Sequence, residues 1–245
     1  MALSVIRGLI LKEVDVGESD KILTVLAKGV GKLSVSARGA RKAKSPFAGG
    51  TSVFTYGDFT IRTGVKHHFL TQVDIISSFY SLTKDLTALA YATYFIELVD
   101  KTSSEGIPSD KTLFLTVNIL KRLSDFKLSA ELASPIFALK LLQYNGFMPH
   151  TENCVHCGKP HSNLISAYGT VCYDCSKSET KTVKVNEALI YTINYILLTE
   201  PPKLFDFKLS DEVLKQLQLA TDIMLDAHFG FDLKSKKFID SLNIY

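Results

Sequence analysis

A chain of 245 residues has room for one large core or two to three modules, and its apolar fraction of 46% is that of a globular rather than a disordered protein. No apolar run reaches the ~18 residues of a membrane span, and the first run is cut by Lys12 and Glu13 without a basic leader, so it reads as a strand and not a secretory signal. The net charge of +3 is uneven, since residues 1–80 hold eleven Lys/Arg against six acids and the remainder seventeen against nineteen. A basic third followed by a slightly acidic remainder points to one face meant for an anion.

The first 76 residues read as short strands: "SVIRGLILKEV", "DKILTVLA" (20–27) and "GKLSVSA" (31–37), then "TSVFTYG" and "DFTIRTG" with Gly57-Asp58 as a tight turn between them, and "HHFLTQVDII" (67–76). Five or six strands at this spacing, with glycine punctuation, predict a small antiparallel barrel. Glu13, Asp15, Glu18 and Asp20 form an acidic turn between the first two, read as solvated in preference to a divalent-metal site. After residue 80 the period becomes helical. Helices are expected over "LTKDLTALAYATYFIELVDK", from Ser109-Asp110 onward, over "SPIFALKLLQYNG" with Ser134 as cap and Pro135 in the first turn, over 186–198 capped by Asn186, and over 210–230 capped by Ser210. The fold class is therefore α+β and multidomain: a barrel in 1–80, then a helical domain in 81–245 interrupted by a cysteine loop at 150–180.

All the cysteines fall in "CVHCGKPHSNLISAYGTVCYDC": Cys154, Cys157, Cys172 and Cys175, spaced C-x2-C-x14-C-x2-C. Each C-x-x-C turn can place two thiolates on one metal, and Gly158 permits the tight turn that turns N–H groups toward the sulfurs. Four thiolates close a tetrahedral site, which makes structural zinc, one per chain, the expected occupant; the alternatives are an iron–sulfur cluster, a thioredoxin-like redox pair, against which two pairs in a loop count, and four free thiols, an unusual coincidence in 22 residues. His150, His156 and His161 could replace a thiolate but read as loop residues. The module is too small to bury enough apolar area alone, so metal binding would supply its folding energy.

"ARGARKAKS" (37–45) places Arg38, Arg41, Lys42 and Lys44 within seven residues without an intervening acid. Such a run can be a solvated face. Here it leaves the third strand of a barrel, where OB-type barrels hold oligonucleotides, so these four cations with Arg7 and Lys32 are the expected DNA-binding residues. Phe47, Phe54, Tyr56, Phe59 and Phe69 supply aromatics, most of them for the core and one or two for stacking on bases.

"GLILKEVDVGESDKILTVLAKGVGKLSVSARGARKAKS", "FALKLLQYNGFMPHTENCVHCGK" and "LKSKKFIDSL", in this order, resemble the bacterial RecO family of recombination mediators. The resemblance implies an OB-fold barrel, a helical domain and a zinc-type cysteine loop. It also implies a non-enzymatic role in the cytoplasm: binding single- and double-stranded DNA, annealing complementary strands and, with RecR, loading RecA onto DNA covered by single-strand binding protein (SSB), whose acidic C-terminal tail such proteins contact. Lys121, Arg122, Lys127 and Lys140 are the helical cations considered for that tail, the alternative being solvated helix faces.

No phosphate-binding glycine loop, nucleophile elbow or zinc-protease signature is present. "GVGKLS" lacks the leading glycine of a nucleotide loop and reads as a strand turn. No catalytic residue is expected. The other reading from the residues is an OB-fold adaptor for a protein partner, with a structural zinc and an incidental basic loop.

Overall fold

The computed structural model describes residues 3–47, 49–64, 68–160 and 162–242. The chain divides into two compact units, one of residues 1–127 with 233–245 and the other of 128–232.

The first unit holds a closed five-stranded barrel: β1 (Leu3–Val16), β2 (Asp20–Ala27), β3 (Gly31–Ala37), β4 (Tyr56–Thr63) and β5 (His68–Ser77), in the order β1-β2-β3-β5-β4. Four ladders are antiparallel, while the closing pair is parallel, with Val35 opposite His68 and Ser36 opposite Phe69. This is the OB topology, in which closure removes the exposed edges a small open sheet would present. Alternate residues point inward: Ile10, Leu23, Val25, Val35 and Phe59 are fully buried. β2 and β3 keep the expected bounds. The first residue of the run expected at 67–76 lies outside the described residues.

The expected turn at Gly57-Asp58 is not a turn. Both residues lie inside β4, opposite Gly8 and Arg7 of β1, and a Cβ on Gly57 would stand 2.5 Å from the Asp74 carbonyl. Glycine is there for the close approach of β5, not for chain reversal.

Helices α1 (Leu86–Thr102), α2 (Asp110–Ser124) and α7 (Lys234–Ser241) complete the first unit. The end of the barrel near residue 80 is thus not the end of its compact unit. Asp85 caps α1 by accepting the amides of Thr87 and Ala88. The α1–α2 connection lies along β3: the Lys32 amide donates to Ser104 O, and Gly106 N donates to Lys32 O. The first turn of α7 is capped by Glu97 of α1, which accepts the Ser235 amide at 3.0 Å, the Ser235 hydroxyl and, at 3.4 Å, the Lys234 amide. Burial pushes the Glu97 carboxyl up, but those donors outweigh it and hold it below the usual range.

The second unit holds α3 (Ala130–Tyr144), the cysteine loop with β6 (Leu164–Ile165), β7 (Thr170–Val171), α4 (Tyr173–Ser176) and β8 (Val183–Lys184), then α5 (Glu187–Leu198) and α6 (Asp211–His228). Asn186 and Ser210 cap α5 and α6 as expected, accepting the amides of Leu189 and Val213. The start of α3 differs. It is capped by Ser129, and Pro135 sits inside it. Proline cannot donate to the Glu131 carbonyl four residues back; the Gln218 side chain of α6 donates to that carbonyl at 3.1 Å instead. Among the described residues no helix is long and apolar enough to cross a membrane.

Candidate nucleic-acid interface and metal centre

The basic loop is built on the β1–β2 hairpin end. Asp20, the first residue of β2, accepts the Gly39 amide at 2.8 Å and the Ser19 hydroxyl at 2.9 Å. The Arg41 amide donates to Ser19 O at 2.9 Å, and its guanidinium donates to Gly17 O at 3.0 Å and lies 3.3 Å from Asp15. Successive turns follow, closed by Lys42 N to Gly39 O and Ser45 N to Lys42 O, and buried Phe47 anchors the far end in the barrel core. The backbone from 38 to 47 is therefore held while Arg38, Arg41, Lys42 and Lys44 are all exposed. Among the described residues neither Lys42 nor Lys44 has a carboxylate partner, and the Arg38 guanidinium lies over the Phe69 ring, 4.7 Å from its centroid.

Arg7 and Lys32 are placed differently. Arg7 faces Asp58 across the β1–β4 ladder and binds it bidentately, at 2.8 and 2.7 Å. The guanidinium holds the Asp58 carboxyl below its ordinary range. Lys32 donates to the Asp100 carbonyl at 2.5 Å and lies 3.1 Å from its carboxylate, with its side chain 18% exposed. Both charges are paired within the protein, whereas among the described residues Lys42 and Lys44 of the loop are not.

In the second unit the four cysteine sulfurs lie within 4.8 Å of one another. Cys157 and Cys172 are 3.7 Å apart, against the ~3.8 Å between two thiolates that share a tetrahedral metal at about 2.3 Å and the ~2.0 Å of a disulfide. Both knuckles are backbone turns: Gly158 N donates to Cys154 O, and Cys172 precedes the short helix α4, where Ser176 N donates to Cys172 O. Cys154 is buried. The amides of Cys172 and Cys157, and more weakly that of His156, pull its thiol down to about 6, while the neighbouring Cys172 and Cys157 side chains push Cys175 up to about 12. Such a set of sulfurs, with amides aimed at one of them, can hold a metal ion. His156 instead pairs with Glu179 at 2.6 Å and stays outside the cluster; His161 lies outside the described residues.

Two family models match in succession: Recombination protein O N terminal over residues 1–79 and Recombination protein O C terminal over 83–237. The chain belongs to the recombination protein O family. Relatives named DNA repair protein RecO include that of Acetivibrio thermocellus, 31% identical over 86% of this chain and 85% of its own, and that of Listeria monocytogenes serotype 4a, 30% identical over 97% and 94%. A further relative, from Thermoanaerobacter sp., is 29% identical over 96% of both chains. The junction between the two family models falls at the end of the barrel.

In this member of the RecO family the helical cations are not equivalent. Lys140 is fully buried in the second unit, where it donates to Leu197 O at 2.9 Å and to Gln143 and Glu200 at 3.1 and 3.3 Å. It is a structural tie, unavailable to an acidic tail. Lys127 pairs with Asp125 at 3.4 Å, and Lys121 is exposed on α2. The cysteine loop carries little free positive charge: Lys159 lies 3.6 Å from Asp174, and Lys177 covers the Tyr173 ring.

In the sequence Asp15 and Asp20 are only members of an acidic turn, and nothing singles out Arg62. The signal for the first pair is that the turn holds four acids, as many as the loop holds cations. Arg62 lies directly opposite Phe69 in the β4–β5 register, a pairing that only the ladder reveals.

Proposed function

We propose that this RecO-family protein is a non-enzymatic DNA-repair mediator. It binds single- and double-stranded DNA through the 38–44 loop of a DNA-binding barrel spanning 1–80, and anneals complementary strands. The observation that carries the reading is a backbone clamped at Asp20, Ser19 and Phe47 from which Arg38, Lys42 and Lys44 project without carboxylate partners. A pre-ordered cation cluster meets phosphates at low entropic cost, and released counterions supply sequence-independent affinity. Holding two strands on one positive surface lowers their mutual repulsion, which is what annealing requires.

Family membership supports the partners. With RecR the protein helps load RecA onto SSB-coated DNA in the bacterial cytoplasm, and the acidic, aromatic-ended SSB tail docks on the helical part. Zinc, one per chain, is held by Cys154, Cys157, Cys172 and Cys175 as a closed structural site, and when bound it supplies folding energy rather than chemistry.

Fluorescence anisotropy of labelled oligonucleotides tests the reading. The protein binds unrelated sequences with similar affinity, and affinity falls steeply as salt rises. Binding indifferent to salt, or absent altogether, returns the barrel to the role of a protein adaptor.

A further inference from the structure

The outward residues of the barrel form a continuous row of cross-strand partners: Val14, Ile22, Ser36, Phe69, Arg62 and Leu3, each directly opposite the next. Most of the row is ordinary wall. At Phe69 it is not. Arg38 Cζ lies 4.7 Å from the ring centroid and Arg62 Cζ 5.7 Å from it. The ring is half-buried and both arginines are exposed.

Two guanidinium groups beside one ring repel each other, and a surface cation–π contact contributes only about 0.5–1 kcal/mol. Four other cations of the barrel and its loop have carboxylates: Arg7 has Asp58, Lys21 has Glu13, Lys32 has Asp100 and Arg41 has Asp15. Among the described residues Arg38 and Arg62 have none. The barrel thus leaves two guanidinium groups without an ion-paired carboxylate within about 6 Å of the centre of one aromatic ring, on the strand that closes against β3, and Arg38 also opens the basic loop.

An aromatic ring offers a π-face to any base, and flanking guanidinium groups take the phosphates on either side. A duplex cannot use such a ring, because its bases are stacked on each other. From this geometry we infer that Phe69 is a base-stacking platform for unpaired nucleotides, with Arg38 and Arg62 as its phosphate clamp. The inference rests on the DNA-binding reading and deepens it, since it assigns a residue that distinguishes single from double strands. Without DNA the Arg38 guanidinium covers the ring; when it turns to a phosphate, a base takes its place.

The chain contains no tryptophan, so Phe69→Trp creates a single indole reporter. Saturating oligo(dT) should quench its emission, and a blunt duplex of equal length should not. Phe69→Ala and Phe69→Leu should weaken single-strand binding between about five- and a hundred-fold at unchanged salt slope, with duplex binding unaltered; the leucine keeps wall packing should the alanine or tryptophan variant fail to fold. Arg62→Ala should lower the single-strand salt slope by about 0.7. Labelled oligonucleotide binding by the parent protein reports separately on the DNA reading. If the parent binds but the indole emission does not change on binding, or if Phe69→Leu binds both DNA forms like the parent, the platform assignment is wrong while the DNA reading stands. If the parent binds no DNA, both fall.

Discussion

Asp20 accepts the Gly39 amide at 2.8 Å, so the acidic hairpin end holds the basic loop in place. That amide, then the Ser19 hydroxyl, and then the nearby charges of Arg38 and Lys42 keep the Asp20 carboxyl below the usual aspartate range. A merely solvated acidic turn would only weaken the positive field of the loop. This one orders the backbone from which the cations project.

Asp20→Ala should therefore speed hydrogen exchange at Gly39 and along 39–45 while barrel amides stay protected. Because the carboxyl is depressed in the folded protein, its anchoring is fully present above the ordinary aspartate pKa near 3.9. It is lost as pH falls through the lower folded value, so acid should release the loop only below about pH 4. Exchange at Gly39 that is the same in the variant and the parent would show that the clamp does not act.

A second expectation concerns Gly31, which ties the barrel to the α1–α2 connection. Its φ is +91°, and a Cβ there would stand 2.1 Å from the Ile107 carbonyl. Gly31→Ala combines left-handed strain with a backbone clash and should destabilise the first unit by roughly 2–4 kcal/mol. Denaturant unfolding measures this directly. A loss under about 0.5 kcal/mol would mean that the connection moves away freely.

For the metal centre, protein purified without chelator should contain about one zinc per chain by elemental analysis. Cys154→Ser should loosen the second unit and leave barrel amides protected, because the cluster lies wholly within residues 128–232. Iron with strong visible absorption would replace zinc with a cluster, and metal-free protein of unchanged stability would remove the centre from the account.

Much of this architecture is legible in the residues. The alternation in β2 and β3, the caps Asn186 and Ser210 and the paired cysteines are local signals, and they hold because no distant contact overrides them. The rest depends on distant contacts. Gly57-Asp58 looks like hairpin chemistry, yet the glycine answers the Asp74 carbonyl of the neighbouring strand. Pro135 looks like a first-turn residue, yet it sits inside α3, where the Glu131 carbonyl it leaves unmet is satisfied from α6. α7 draws its cap from Glu97, more than a hundred residues away, and the two-residue strands of the cysteine loop are too short to carry a period. At the candidate site the four-cation run is plain, but which cations are free is not. Arg7 and Lys32 differ from Lys42 and Lys44 through Asp58 on β4 and Asp100 on α1, and those pairings appear only once the barrel closes and α1 lies against it.

The central claim is that the 38–44 loop is the phosphate-binding surface, and the most direct measurement is the salt dependence of single-strand binding with that loop neutralised. Arg38, Arg41, Lys42 and Lys44 are changed together to Ala, with four cations outside the barrel, Lys101, Lys111, Lys203 and Lys208, changed to Ala as the control for net charge. Arg41 is already paired with Asp15, so about three contacts should be lost. At roughly 0.7 per contact the slope of log K against log salt should flatten by about 2, with affinity falling for all sequences alike and the barrel still folded, since exposed loop cations contribute little to a core. A folded loop variant that keeps the parent affinity and salt slope would contradict the account and place the DNA surface elsewhere.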